Sequence, residues 1–413
     1  CLHCLPKGRC LISMNDNIYI SGMGAVTPVG IGTDAYWNSL VAGHCGIREI
    51  EDLDTTDLPV KRAGQVRDFH PKDYLSMKLV QDLEPYMQYA YVSALEAAQQ
   101  SGLNLASDRV GIVMGSALSG ICIIGDTNRQ MAENGKAAGP KFLTKAMGNI
   151  AAAQFSIQHK IQGPSLTVST ACSSGGDAVK IASMLIRTGC ADAMVVMAGE
   201  AAICSPLIQS LTKTGALSRT GESLPFDLHR NGFVLGEGGG AIILENDASL
   251  QRHHGTALAR LMGCANNTDA FNPVSPDPEG TGAAACMRLA LREAQIEPDQ
   301  IGYLNAHGTA TKMGDIAEYY AMKQIFGDIP VKVSSTKGIT GHMMGAGGIT
   351  ELIACVKAVE TGMIPPNVGF SDTDPDCPVN VSAACQTGLD IQVAMSNALG
   401  FGGQNSCVII GRA

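Results

Sequence analysis

Two distant stretches of the sequence follow the same plan. Residues 168–189, "VSTACSSGGDAVKIASMLIRTG", and residues 333–362, "VSSTKGITGHMMGAGGITELIACVKAVETG", each open with a short β-branched strand ending in Ser-Thr. Each strand is followed by a loop of small residues, then by a helix rich in Gly and Ala that ends at Thr-Gly. Such a repeat predicts two similar halves, each delivering a strand-to-helix junction to a shared site. Because glycine lets another backbone come close, both helices are expected to be deeply buried.

The rest of the chain alternates strand-like and helical segments. Strand-like runs occupy residues 109–116, 191–199, 239–245 and 406–411, and residues 86–102 place apolar side chains at helical spacing. This alternation predicts an α/β architecture with buried sheets. With 413 residues, the chain exceeds the size at which a single core stops growing, which agrees with two core units.

Charge and hydropathy argue against several classes of partner. A net charge of −9 disfavours general binding to nucleic acid or to an anionic membrane surface. No apolar run is long enough to predict a membrane span. The cysteines beyond residue 13 lack paired spacing, which is typical of free thiols in a reducing cytoplasm. We therefore expect a cytoplasmic protein without nucleic-acid or membrane partners.

The N-terminal residues 1–13 lie outside the alternating strand and helix segments. Residues 1–13, "CLHCLPKGRCLIS", lack the apolar stretch of a signal peptide. They are predicted to be an upstream extension or a remnant of the expressed sequence, with a natural start at Met14. Their three cysteines and one histidine leave a metal site as the alternative interpretation.

Cys172 stands where the first repeated strand gives way to its helix. The unpaired N–H groups and the dipole of a helix start favour an anion, which predicts a lowered thiol pKa and a nucleophilic thiolate. Small neighbours such as Ala171 and Ser173 permit a sharp turn and leave room for a substrate. A single cysteine among small residues is also typical of an ordinary buried apolar position.

Two histidines strengthen the catalytic interpretation. His307, in "NAHGTATKMGD", and His342, in "SSTKGITGHMMGAGG", each follow a strand-like run and lie among glycines. One thiol and two neutral imidazoles suffice for acyl transfer and carbon–carbon bond formation, because the imidazole N–H groups can stabilise an oxyanion on the second substrate. The remaining histidines are predicted to lie mostly at the surface: His3, His44, His70, His159, His229, His253 and His254.

Further motifs bring in a resemblance to a known family. "ISGMGAVTPVG", "PFDLHRNGFVLGEGGG" (225–240) and "SNALGFGGQNS" (396–406) join the motifs above in one order along residues 17–412. In this order they resemble the elongating β-ketoacyl-acyl-carrier-protein synthases, the ketosynthases of the thiolase-fold superfamily. The resemblance implies a thiolase-like α/β fold, with two pseudo-symmetric halves forming a layered α-β-α-β-α core. The nucleophile half is predicted over residues 14–255 and the histidine half over residues 256–413.

The resemblance also implies roles for individual residues. Cys172 is the expected acyl-accepting nucleophile, and His307 and His342 are the expected pair that binds the malonyl thioester carbonyl. Lys337 is expected to support the histidines electrostatically, and Glu351 to close that network through water. From the residues alone, the favoured interpretation of Lys337 and Glu351 is an ordinary structural ion pair.

A second set of residues is expected to bind the substrate. The resemblance assigns Thr309 and Thr311 to the pantetheine arm, although from the residues alone they are typical turn-capping hydroxyls. Phe401 is the expected gating aromatic, and its backbone N–H is expected to form an oxyanion hole with that of the nucleophile. Gly402 lies in the same loop, whose glycines allow movement. Leu118 matches the position that limits entry of the acyl chain.

The implied reaction is a ping-pong decarboxylative Claisen condensation with malonyl-carrier protein. No metal is expected, and no cofactor other than the 4'-phosphopantetheine that arrives on the acyl-carrier protein. The resemblance implies a homodimer, or a heterodimer with a chain-length-factor subunit. Lys61, Arg62, Arg67 and Lys213 are candidate contacts for an acidic carrier or ordinary solvated charges. The alternative function is that of a non-catalytic chain-length factor, which shares the fold.

The pathway stays open between fatty-acid and polyketide or polyene synthesis. Asp177 and "DPDCPVN" (374–380) are similar to type II polyketide ketosynthases, and we favour that side slightly. "TKAM" (144–147) and "TGALS" (214–218) are similar to fatty-acid synthases. Lys141 stands where the fatty-acid enzymes tend to carry aromatic residues, so we expect it to polarise the tunnel floor or pair with a partner subunit.

Overall fold

The computed structural model describes residues 17–413. The strands are β1 (Ile18–Thr27), β2 (Gly30–Ile31), β3 (Ile47–Glu49), β4 (Arg62–Gly64), β5 (Val110–Gly115), β6 (Ser165–Val168), β7 (Ala193–Glu200), β8 (Gly238–Asn246), β9 (Ala259–Thr268), β10 (Tyr303–Asn305), β11 (Lys332–Ser334), β12 (Val393–Gly400) and β13 (Gln404–Gly411). Strand-like runs of the sequence therefore correspond to β5, β7, β8 and β13.

The α-helices are α1 (Thr33–Ala42), α2 (Met77–Asp82), α3 (Pro85–Ser101), α4 (Ile121–Asn134), α5 (Phe142–Ala146), α6 (Ile150–His159), α7 (Ser174–Arg187), α8 (Ser205–Thr214), α9 (Asp247–Arg252), α10 (Thr281–Ala294), α11 (Lys312–Phe326), α12 (Lys337–Thr340) and α13 (Gly347–Thr361). Short 3-10 turns occupy Pro71–Asp73, Pro298–Gln300 and Met344–Ala346.

The main sheet repeats one topology twice. Its order is β11-β10-β12-β13-β9-β1-β8-β7-β5-β6, with β2 paired to β1. In the first half, β1, β5, β6, β7 and β8 pair in the same order and directions as β9, β10, β11, β12 and β13 in the second. The halves meet where Ile18 to Ile20 of β1 pair antiparallel with β9. The two similar halves predicted from the repeated stretches are confirmed.

Helices α7 and α13 form the middle layer of the molecule. Each contacts strands of both halves, and the largest apolar cluster surrounds them. α3 and α6 cover the outer face of the first half over a second cluster, and α10 and α11 cover that of the second half over a third. The layers therefore follow the predicted α-β-α-β-α order.

The two central helices touch through glycines at their N-terminal ends. A Cβ on Gly348 would lie 2.7 Å from the backbone nitrogen of Gly176, and one on Gly175 would lie 2.9 Å from the carbonyl oxygen of Gly345. Side chains at these positions would force the backbones apart. The close approach brings the two strand-to-helix junctions to one place, as the repeat predicts.

Lys141 is half exposed and pairs with Asp82 at 2.6 Å within the chain, which joins the start of α5 to the end of α2. The expectations that Lys141 polarises a tunnel floor or pairs with a partner subunit stay predictions.

The histidines predicted to lie mostly at the surface do so with two exceptions between residues 17 and 413. His44, His70, His229 and His254 are exposed, whereas His159 and His253 are half-buried. The ring of His159 packs 4.2 Å from that of Phe155, because one side of α6 faces the core.

The interpretations of the first thirteen residues, extension or metal site, lie outside the described residues. Between residues 17 and 413, no helix has both the length and the hydrophobicity to cross a membrane. The cysteines over this range are free thiols, as their spacing predicts.

Candidate active site

The cysteine predicted as the nucleophile lies in the turn between β6 and α7. Cys172 is 6% exposed and directly precedes the residues that open the helix. Ala171 adopts φ of +53°, a left-handed conformation that a small side chain tolerates better than a branched one. The Ser174 hydroxyl accepts a hydrogen bond from the backbone N–H of Thr170 at 2.9 Å, which fixes the turn.

His342 reaches this thiol from the other half of the molecule. Its Nε2 lies 2.9 Å from the Cys172 sulfur. The linker between β11 and α13 carries His342, and its backbone bonds to Val234 and Gly236 hold it in place. The ring of Phe233 packs edge-on against His342, with the centroids 5.1 Å apart. The two strand-to-helix junctions differ in one respect. The junction between β11 and α13 contains the additional helix α12, whereas the one between β6 and α7 has no such helix.

His307 follows β10 and lies beside His342, with ring centroids 5.3 Å apart at 84°. The backbone N–H groups of His307 and Gly308 both donate to the buried carboxylate of Glu318, at 2.8 Å each. Sequence reasoning missed Glu318. Its signal was a pair of acidic residues, Asp315 and Glu318, one turn apart in a helix that opens beside a candidate catalytic histidine.

Lys337 and Glu351 form a buried ion pair behind the histidines. Their side chains are 1% and 4% exposed, and Nζ of the lysine donates directly to the carboxylate. Helix α12 places Lys337 against α13, which carries Glu351, so these two side chains pair directly. The expectation that Glu351 closes the histidine network through water stays a prediction. Burial keeps the pKa of Glu351 above its usual value, although the ammonium opposes this effect.

The electrostatics of the site keep both imidazoles neutral. Burial, and then the ammonium of Lys337, lower the pKa of His307 and His342 well below the usual value. For the thiol, burial raises the pKa of Cys172 to about 12, while Lys337 and the backbone N–H of Phe401 oppose the increase. The predicted lowering of the thiol pKa is therefore wrong in direction, because desolvation outweighs the favourable groups.

The loop between β12 and β13 completes the surroundings of the sulfur. The backbone N–H of Phe401 opposes the effect of burial on the pKa of Cys172. A Cβ on Gly400 would lie 3.1 Å from the backbone nitrogen of Cys172 and 2.9 Å from the carbonyl oxygen of Thr170. Glycine at position 400 therefore lets the loop that carries Phe401 pass close to the backbone of the nucleophile. The oxyanion hole expected from the N–H groups of Phe401 and Cys172 stays a prediction.

A cavity of about 570 Å³ leads to this group. Its wall includes most of the predicted site residues: Cys172, His307, His342, Thr309, Thr311 and Phe401. The hydroxyls of Thr309 and Thr311 lie 3.1 Å apart, and that of Thr311 also accepts from the N–H of Gly314 at the start of α11. The two threonines therefore face the cavity, and one of them caps a helix as well.

Gly402 and Leu118 do not line this cavity. Gly402 adopts φ of +82° in the turn after Phe401, and its N–H donates to the carbonyl of Pro273 at 2.7 Å. Leu118 packs against the apolar cluster that contains Cys172, and it lies outside the wall of the open cavity.

A second buried carboxylate, which sequence reasoning also missed, holds the loop that carries Leu118. Glu200 accepts from the backbone N–H groups of Ala117 at 2.7 Å, Leu118 at 3.1 Å and Gly345 at 3.2 Å. Burial raises its pKa to about 7. Glu200 thus ties loops of both halves together close to the catalytic sulfur.

The basic residues predicted to contact an acidic carrier protein differ in their partners within the chain. Arg67 pairs with Glu51, and Arg62 donates to the carbonyl of Ile47 at 3.0 Å. Lys213 is exposed and neighbours the cavity wall, which also includes Arg219.

Comparison with known proteins places this geometry in a family. Residues 15–249 match the family model described as "Beta-ketoacyl synthase, N-terminal domain", and residues 258–371 match the corresponding C-terminal domain. The 3-oxoacyl-[acyl-carrier-protein] synthase 2 of Staphylococcus aureus is 34% identical over 408 residues, covering 96% of this chain and 99% of the relative.

Two similar solved structures come from ketosynthase complexes. The ishigamide ketosynthase/chain length factor is 29% identical with a TM-score of 0.92, covering 96% of this chain and 99% of that one. A type II polyketide ketosynthase bound to its acyl-carrier protein is 26% identical with a TM-score of 0.87, covering 96% and 100%. The sequence matches span almost all of the chain, and the fold is shared throughout. This chain belongs to the β-ketoacyl synthase family of acyltransferases.

Proposed function

We propose that this protein is a 3-oxoacyl-[acyl-carrier-protein] synthase that condenses an acyl group held on Cys172 with malonyl-acyl-carrier protein, releasing carbon dioxide. One observation carries the proposal. The Cys172 sulfur contacts Nε2 of His342 at 2.9 Å, and a second neutral imidazole, His307, faces the same cavity. A thiol beside two neutral imidazoles is suited to forming a thioester and then stabilising an enolate.

In the first half-reaction, the Cys172 sulfur attacks the carbonyl of an acyl-carrier thioester. Its thiol proton ends on the departing pantetheine thiol, so the acyl group and the proton exchange places. The backbone N–H groups of Cys172 and Phe401 are positioned to hold the tetrahedral oxyanion. With its thiol pKa raised by burial, Cys172 depends on Lys337 and on the backbone N–H of Phe401 to stabilise the developing negative charge.

In the second half-reaction, malonyl-carrier protein enters the same cavity. Loss of carbon dioxide leaves the electron pair of the broken bond as an enolate. His307 and His342, in their Nε2–H tautomers, donate to its oxygen. The enolate carbon attacks the acyl thioester and expels the Cys172 thiolate, which then takes a proton from solvent. The product is a 3-oxoacyl chain that is longer by the two malonyl carbons.

The acyl-carrier protein is the proposed partner, and its 4'-phosphopantetheine is the only prosthetic group that we propose for the reaction. Thr309 and Thr311 are positioned to hydrogen-bond the arm as it passes along the cavity wall. The cavity also reaches Arg219, and Lys213 is exposed beside it. Two cations at an entrance suit an acidic carrier protein.

We favour catalysis over the role of a chain-length factor. A subunit that only shapes the product has no need for a thiol and two imidazoles in contact with one cavity. Retention of Cys172, His307 and His342 in one geometry therefore supports an active subunit.

A dimer, with itself or with a chain-length-factor subunit, is proposed through the edge of the sheet at β6. This edge strand leaves Leu166 46% exposed, and Ile157 and Leu143 nearby in sequence are 67% and 64% exposed. An unpaired strand edge beside apolar side chains is a surface that monomers rarely leave uncovered. We propose type II polyketide or polyene synthesis ahead of fatty-acid synthesis, supported by the ishigamide and polyketide ketosynthase neighbours.

One experiment tests the proposed condensation reaction and the proposed subunit arrangement. The purified protein is incubated with acyl- and malonyl-acyl-carrier protein, and 3-oxoacyl product and molecular mass are measured, first alone and then after co-expression with a chain-length-factor subunit. Product from a homodimer supports a self-sufficient synthase, and product only from the co-expressed pair supports the polyketide arrangement. Absence of condensation in both preparations contradicts the proposed reaction.

A further inference from the structure

A buried carboxylate holds a loop of the first half and a turn of the second half beside the catalytic sulfur. Glu200 is fully buried at the end of β7. One of its oxygens accepts from the backbone N–H of Ala117 at 2.7 Å and from that of Gly345 at 3.2 Å. The other accepts from the N–H of Leu118 at 3.1 Å and from the hydroxyl of Ser116 at 3.3 Å. One side chain therefore has four donors, which come from both halves.

The two segments that Glu200 holds are in direct contact. We call them the 116–118 loop and, for the 3-10 turn Met344–Ala346, the 344–346 turn. A Cβ on Gly345 would lie 2.5 Å from the backbone nitrogen of Ala117, so the two backbones touch. Because N–H groups from both segments bind the same carboxylate oxygen, the segments cannot separate without breaking hydrogen bonds to Glu200.

Both segments also contribute to the apolar cluster that contains the nucleophile. Cys172 and Met344 are buried members of this cluster, and Ala117 and Leu118 pack against it. The open cavity reaches the sulfur as well, but its wall includes several charged side chains: Arg219, Asp269, Asp277 and Lys312. An apolar chain bound to the sulfur is therefore more stable in the cluster than along this wall.

We propose, building on the condensation reaction proposed above, that Glu200 is a specificity-determining positioning residue that limits the length of the acyl chain accepted by Cys172. The malonyl thioester needs the open cavity in the second half-reaction, so the acyl chain has to extend into the apolar cluster. A short chain leaves the 116–118 loop in place, whereas a long chain has to move Leu118 away from the 344–346 turn. Glu200 opposes that movement through its hydrogen bonds and does not itself touch the acyl chain.

The test compares alkylation of Cys172 by N-methyl iodoacetamide and by N-octyl iodoacetamide in the parent protein and in the Glu200→Gln variant. The amide nitrogen of glutamine is a donor, so it cannot accept from the donors that face one carboxylate oxygen. Peptide mass spectrometry gives the rate at Cys172 for each probe. We expect the ratio of the octyl rate to the methyl rate to rise about tenfold, because hydrogen bonds to a charged group are lost.

The ratio isolates the effect of chain length. The Glu200 carboxylate also raises the pKa of Cys172, but a change in thiol pKa alters the two rates equally and cancels in the ratio. A general loosening of the fold would likewise increase alkylation by the short probe.

Matched variants show whether the effect belongs to this carboxylate and this loop. Glu237 holds a different backbone N–H, that of Val66 at 3.0 Å, so Glu237→Gln should leave the ratio unchanged. Leu118→Ala should raise the ratio, and the double variant with Glu200→Gln should raise it no further than the larger single effect, since both act on the same loop. If Glu200→Gln does not fold, Glu200→Asp takes its place. Its side chain is one carbon too short to reach all four donors, so the same rise is expected.

An unchanged ratio in the folded Glu200 variant, an equal rise in Glu237→Gln, or effects of Leu118→Ala and Glu200→Gln that multiply would overturn the proposal. Alkylation requires neither carrier protein nor condensation, so its outcome is independent of the proposed reaction. Absence of 3-oxoacyl product from the parent contradicts the proposed function, whereas an unchanged alkylation ratio contradicts the role of Glu200.

Discussion

The Cys172 sulfur lies 2.9 Å from Nε2 of His342, although 170 positions separate the two residues in the sequence. The contact exists because the central helices of two similar halves meet through glycines, so that the first junction supplies the thiol and the second supplies the imidazole. His307 arrives from the end of a third segment, β10. The site is therefore a property of the interface between the halves, and each half alone lacks it.

Replacing the thiol should remove the reaction and keep the fold. Cys172→Ala deletes one small buried atom, so we expect no 3-oxoacyl product, with far-UV circular dichroism and the unfolding temperature close to those of the parent. Cys190→Ala, at an exposed thiol, is the control and should retain activity. Condensation by the Cys172→Ala protein would disprove its role as nucleophile.

Alanine variants of the two histidines should differ in which half-reaction they slow. The Cys172 sulfur has its hydrogen bond with His342 and none with His307, so His307→Ala should load acyl groups normally. Decarboxylation of malonyl-carrier protein by this variant should fall by about 10²–10³-fold through loss of an oxyanion donor. His342 contacts the sulfur, so His342→Ala should slow both steps. Intact-protein mass spectrometry measures loading, and carbon dioxide release measures decarboxylation. Equal loading defects in both variants would contradict the assignment.

The buried ion pair should tune the thiol in opposite directions. The Lys337 ammonium lowers the pKa of Cys172 and the Glu351 carboxylate raises it. Because only the thiolate reacts, alkylation by iodoacetamide below the thiol pKa of about 12 rises about tenfold per pH unit. Lys337→Met should therefore shift the rate-against-pH curve to higher pH, and Glu351→Gln should shift it to lower pH.

Each single variant leaves a buried group unpaired and should lower the free energy of unfolding by about 3–5 kcal/mol. Alkylation is therefore measured at a temperature where circular dichroism shows both variants folded. Shifts of the same sign in the two variants would show that the pair acts on the thiol through packing and not through charge.

The glycine contact between the central helices should be essential for stability. Gly348→Ala places a Cβ 2.7 Å from the Gly176 nitrogen, and we expect a loss of about 1–3 kcal/mol from overpacking. Gly125, in α4, has open space around it. Gly125→Ala should therefore raise stability by about 0.5–1 kcal/mol through the higher helix propensity of alanine. Thermal unfolding of the two variants compares them directly, and similar midpoints would argue against a tight crossing.

The sequence by itself determined the duplicated α/β architecture and the main site residues. The signals for the repeat are local: strands that end in Ser-Thr, loops of small residues and helices that end at Thr-Gly. They can be read from the sequence because each depends on the backbone preferences of neighbouring residues. The motifs around Cys172, His307 and His342 are equally local, so the order of residues along the chain is enough to identify them. Glu318 was missed because two acidic residues one turn apart in a helix are ordinary until the backbone N–H groups that they bind are known.

Only the tertiary structure decided the electrostatics and the partners of individual charges. Burial depends on every layer of the fold, so the helix start at Cys172 predicted a lower thiol pKa, whereas desolvation raises it. Lys141 pairs with Asp82, which is distant in sequence, and the carboxylate of Glu200 accepts from backbone N–H groups of both halves. Such contacts join residues that no local pattern relates, because they arise from packing between elements and not from the conformation of any one of them.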